Sequence, residues 1–91
     1  MSIRYVFKDD TQAGMLNMTN RGIHIIGGGD LVSFFKSLGG VNGNDLIVHP
    51  IDMEGDQFIE FRRPMDGARE VEDMVEKELN KHGYVLSPRR F

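Results

Sequence analysis

Hydrophobic positions along this chain recur with two different periods, and the changes between them mark the elements. From residue 3 to residue 8 the pattern alternates: Ile3, Tyr5 and Phe7 share one side of an extended chain, while Arg4 and Lys8 flank Val6 on the other. That is the signature of a half-buried strand. Asp9 to Gly14 is a turn by residue type, Met15 to Thr19 a weaker strand, and Asn20-Arg21-Gly22 a turn into the β-branched run Ile23 to Ile26. Three glycines, Gly27, Gly28 and Gly29, end that strand. The period then changes, with Leu31, Phe34, Phe35 and Leu38 at i, i+3, i+4 and i+7, one apolar stripe of a two-turn helix. Asp30 is placed to cap its start and Gly39 to close its end in a left-handed conformation. So short a helix is marginal alone and needs its phenylalanines against a sheet.

Gly40 to Asp45 reads as a loop. Leu46 to Met53 and Gln57 to Arg63 then flank Glu54-Gly55, a tight hairpin whose two-residue turn pairs Val48 with Phe61, Pro50 with Ile59 and His49 with Glu60. Pro50 has no amide hydrogen, so that strand belongs at a sheet edge or beside a bulge. Asp66 is placed to cap a second helix whose inner stripe is Ala68, Val71, Met74, Val75 and Leu79, extending to His82, with Gly83 as its stop and Tyr84 to Leu86 as a closing strand.

The expected architecture is α+β: a mainly antiparallel sheet of four to six strands, with both helices on one face and the order β(β)βαββαβ. Without the early hairpin the order is β-α-β-β-α-β, which resembles the split arrangement of ferredoxin-like domains. Enzymes, sensors and RNA binders all use it, so it says little about function.

Composition narrows the choices. The 91 residues suit one domain able to bury roughly 60 to 65% of its unfolded surface. Cysteine is absent, which excludes disulfides, thiolate metal sites and a thiol nucleophile and fits a reducing cytoplasm. No apolar run approaches the ~20 residues of a membrane span, so a soluble, unexported, cytoplasmic chain is expected. The formal charge is -3, and six acids against two bases between Asp66 and Glu78 leave +1 for the rest. The acidity therefore belongs to one helix face, and a nucleic-acid partner is not expected. Among the six methionines, Met15 and Met18 would suit a binding surface if exposed.

Four groups of residues carry candidate chemistry. Gly27, Gly28, Gly29 and Asp30 form a glycine loop between strand and helix, a place where backbone amides can hold a nucleotide, phosphate or carboxylate. The spacing is neither dinucleotide nor Walker type, and Asp30 would repel an anion. His49 beside Glu60 is a general acid–base arrangement or an ordinary cross-strand contact, and the latter is preferred. His24, His49 and His82 lack the paired spacing of metal ligands, so no metal or other cofactor is expected. Arg62, Arg63, Arg89 and Arg90 form a candidate basic patch.

The expected function is a non-catalytic protein-interaction or regulatory module, an inhibitor or adaptor of the kind that bacteria and their phages encode. Its candidate surface is the acidic helix face of Glu70, Asp73, Glu76 and Lys77 together with the Pro50 edge strand, to which a protein partner or a second copy can add a strand. The alternative is a small-ligand binder using the Gly27 to Asp30 loop.

Overall fold

The computed structural model describes residues 2–27, 29–41, 43–49 and 56–88. Its elements run β1 (Ser2–Lys8), β2 (Thr11–Thr19), β3 (Gly22–Ile26), α1 (Gly29–Leu38), β4 (Gly40–Val41), β5 (Asn44–Val48), β6 (Gln57–Phe61), α2 (Ala68–Lys81) and β7 (Val85–Leu86). All strands join one antiparallel sheet in the order β4-β5-β6-β3-β2-β1-β7.

The α+β class therefore holds, but the sheet has seven strands where four to six were expected. The additional strand lies in the supposed loop: Gly40 and Val41 turn back through Gly43 to pair with Asp45 and Asn44. Nor is the sheet the four-stranded ferredoxin-like one. The segment from β3 to β7 runs β-α-β-β-β-α-β because of β4, and the β2-β1 hairpin stands between β3 and β7, so β7 pairs with β1 instead.

Both helices pack into one core on a single face of the sheet. There Leu31 and Phe35 of α1 and Val71, Val75 and Leu79 of α2 pack against Val6, Leu16, Met18, Ile23, Ile25, Ile59 and Phe61 of the sheet. Phe35 is fully buried; Phe34 is half-buried, its ring 5.1 Å from Phe35, 5.0 Å from His82 and 5.5 Å from Tyr84.

The helix starts differ from expectation. Asp30 lies inside the first turn of α1, not ahead of it. Gly67, not Asp66, is the N-cap of α2, and the Asp66 amide donates to Glu70 Oε2 at 3.2 Å. Gly39, with φ +69°, closes α1 as expected.

Candidate interaction face

The first strand orients the molecule. Arg4 and Val6 face the helices and are 7% and 0% exposed, whereas Ile3 and Tyr5 face outward at 53% and 40%. Hydropathy alone favours the reverse, because burying a guanidinium is costly unless it is paired. Here α2 supplies the partners. Arg4 Nη1 lies 3.2 Å from Glu72 Oε1, Nη2 lies 3.4 Å from Glu76 Oε2, and Nε donates to Ser87 O at 2.8 Å.

Turning Arg4 inward leaves an apolar surface on the opposite side of the sheet, which neither α1 nor α2 covers among the described residues. Cross-strand register builds it in rows. One row runs Tyr5, Met15, Ile26; the next runs Ile3, Asn17, His24, Phe58. His49 extends the second row, its amide donating to Phe58 O at 3.0 Å. Glu60 and Ile47 pair beside it, and Phe7 and Val85 pair at the other end. Ile3, Tyr5, Ile47 and Val85 are exposed, while Phe7, Met15, Ile26 and Phe58 are half-buried. Met18, a candidate for this kind of surface, lies in the core at 0% exposure.

Polar groups interrupt the face: Asn17, His24, His49 and Glu60, with the Asp45–Arg62 pair beyond Ile47. The Phe58 ring lies between two imidazoles, 5.0 Å from His24 and 5.6 Å from His49. His49 Nε2 lies 2.8 Å from Glu60 Oε1. The expected contact is therefore present, but in a different register. His49 stands opposite Phe58, and Glu60 opposite Ile47, so the pair is diagonal. The two-residue offset from the expected register keeps Ile59 and Phe61 inward, because sheet faces repeat every second residue. Both side chains of the pair are 43% exposed. Water reaches them freely, which is poor ground for general acid–base catalysis.

The remaining predicted residues are scattered. On α2, Glu70 is exposed but accepts the Asp66 amide, Asp73 and Lys77 are exposed, and Glu76 is half-buried against Arg4. Gly27 and Gly29 stand in open space, and Asp30 borders a depression of about 490 Å³ shared with Lys8, Ser33, Phe34, Ser37, His82 and Tyr84. Lys8 Nζ sits 4.8 Å from the Tyr84 ring centroid. Arg62 Nε pairs with Asp45 Oδ2 at 3.2 Å, and Arg63 donates to Gly43 O at 2.9 Å, so both serve the β5 end locally. Gly28, Pro50, Glu54, Gly55, Arg89 and Arg90 lie outside the described residues.

Among the described residues, no cluster of three or more His, Asp or Glu stands close enough to hold a metal ion, and no helix is long and apolar enough to cross a membrane. Comparison with protein-family models, curated proteins and solved structures returns no significant match.

Proposed function

We propose that this chain is a non-catalytic protein-interaction module, regulatory in the manner of an inhibitor or adaptor, and that its principal working surface is the open sheet face. The observation that carries this reading is the sheet face that no described helix covers, on which Ile3, Tyr5, Ile47 and Val85 are exposed and Phe7, Met15, Ile26 and Phe58 half-exposed. Single exposed apolar side chains are ordinary, but a contiguous apolar patch of several hundred Å² marks a contact surface. Large amphipathic rings such as Tyr5 and Phe58 are also what the centres of interfaces use.

The acidic face of α2 retains a secondary part. Asp73 and Lys77 point to water, and Glu70 stays exposed while capping the helix, so this side offers salt-dependent steering toward a basic partner. The mechanism is occlusion: the face covers a complementary apolar surface on its target and excludes that target's other ligands.

The test is a tagged capture from native extract with two sets of variants. Ile3→Lys with Ile47→Lys should keep the circular dichroism spectrum and melting temperature while abolishing capture of the bound protein. Asp73→Lys should weaken capture mainly at low salt. A captured set unchanged by lysines on the open face would refute the assignment of that face.

A further inference from the structure

We infer that the hollow between the end of β1 and α1 is a binding site for a free α-amino acid with an aromatic or large apolar side chain, held by its two opposite charges between Lys8 and Asp30. The inference goes beyond the interaction reading above and uses none of the open-face residues.

Shape is the first argument. A depression of about 490 Å³ beside α1 and another of about 360 Å³ beside the β1–β2 turn share three walls, Lys8, Asp30 and Tyr84. Each has the size of a small-molecule cleft, and the shared walls make one hollow of the two. Its floor is aromatic. Tyr84 is buried and Phe34 half-buried, their rings 5.5 Å apart, and the exposed His82 ring stands 5.0 Å from Phe34. These rings give a planar or apolar side chain both faces and edges to pack on.

Charge is the second argument. Lys8 and Asp30 border both halves of the hollow, yet among the described residues neither forms an ion pair, with the other or with any third group. Lys8 is held instead over the Tyr84 ring, its Nζ 4.8 Å from the centroid. The hollow is thus lined by an ammonium and a carboxylate that do not neutralise one another.

The ligand class follows by elimination. A plain anion such as phosphate gains Lys8 but meets the carboxylate of Asp30, and that of Asp9 at the rim; a plain cation meets Lys8. An α-amino acid carries both charges on one carbon, its nitrogen and carboxyl carbon about 2.5 Å apart. Its carboxylate accepts from Lys8 while its ammonium donates to Asp30, two charge-assisted hydrogen bonds, and its third substituent is left for the rings of Phe34, Tyr84 and His82. A peptide terminus satisfies one of the two charges only, because the other is consumed in an amide.

The experiment is a titration of the isotope-labelled full chain with L-phenylalanine to about 10 mM, followed by amide chemical shifts in heteronuclear NMR. The shifts should saturate and gather at Lys8, Asp30, Ser33 and His82. L-phenylalaninamide lacks the carboxylate and N-acetyl-L-phenylalanine lacks the ammonium, so each should bind about 10-fold or more weakly than the free amino acid. Lys8→Met, at an exposed position, should lose the discrimination against the amide, and Asp30→Asn, nearly isosteric, the discrimination against the acetyl compound. Such a crossed pattern distinguishes lost contacts from a loosened fold, which weakens all three compounds alike. The absence of a saturating shift at these residues with L-phenylalanine overturns the proposal. So does a wild type that binds inorganic phosphate or either capped compound as tightly as the free amino acid, or a discrimination that survives both substitutions.

Discussion

Replacing Arg4 with Met tests the strand orientation on which the open face depends. The substitution keeps most of the aliphatic stem and removes the guanidinium that reaches Glu72, Glu76 and Ser87 O. The side chains of Arg4 and Glu72 are 8% and 4% exposed, so the loss removes the cation that lies 3.2 Å from a nearly buried carboxylate, a change that costs up to about 3–5 kcal/mol. Glu76, at 37% side-chain exposure, is rehydrated easily and adds little. A 91-residue domain has about 5–14 kcal/mol of stability in all, so the single change removes a large share of it. The melting temperature should fall by about 15–30 °C.

Glu72→Met should cost less, about 1–3 kcal/mol, because Arg4 keeps Glu76 and the Ser87 carbonyl. The double variant Arg4→Met with Glu72→Met places two apolar side chains where two charges were and should be about as stable as wild type. The assay is urea unfolding followed by circular dichroism, with an unchanged m-value as the sign that the same surface is exposed in every variant. Arg4→Met costing under about 1 kcal/mol, or a double variant no more stable than Arg4→Met alone, would refute the view that a buried ion pair holds β1 in place.

Two further expectations concern the backbone. Asp9 and Asp10 form the two-residue turn between β1 and β2 with φ of 52° and 62°, a conformation that Asn-Gly fills with less strain; Asp9→Asn with Asp10→Gly should add about 1 kcal/mol, read as a higher melting temperature, and a lower one would contradict it. Gly22 lies where an added Cβ would collide with the carbonyl oxygen of Ile59 and stand 2.8 Å from Phe58 Cζ; Gly22→Ala should cost about 2–3 kcal/mol in urea unfolding and, by displacing β6, perturb the Phe58 ring on the open face.

The helices were the most legible part of the chain, because the stripes at Leu31, Phe35, Leu38 and at Val71, Val75, Leu79 record a local period that each helix reads for itself. The glycine stops at Gly39 and Gly83 were legible for the same reason, since φ of +69° and +85° is a local demand. What was not legible is non-local. The two-residue offset of β5 against β6 depends on a partner strand and on Gln57, whose side-chain amide donates to His49 O. Asn44, which stands opposite Val41 in the pairing of β4 with β5, is buried and binds both backbone groups of Arg63, accepting from its N–H at 3.0 Å and donating to its carbonyl at 2.6 Å. Polar residues such as Asn44 read as loop when they are in fact standing in for strand partners.

The orientation of β1 is the deepest case, because it decides where the candidate site is. Alternation identifies a strand but does not say which side faces the core, and a one-residue difference in register exchanges the two sides completely. Ile3, Tyr5 and Phe7 carry more apolar surface than Val6 with its two cations, so hydropathy favours them as the buried set. That preference is overturned from 68 residues away, where Glu72 reaches the guanidinium from the inner face of α2, in a position that helical spacing alone gives to an apolar side chain. An acid on the inner face of α2 and a cation in an alternating strand each look anomalous alone; together they form one buried contact. Its consequence on the other side of the sheet is the apolar face that Ile3, Tyr5 and Phe7 build. The charged residue that sequence reading sets aside as solvated is thus what turns a half-buried strand outward and makes a binding surface of it.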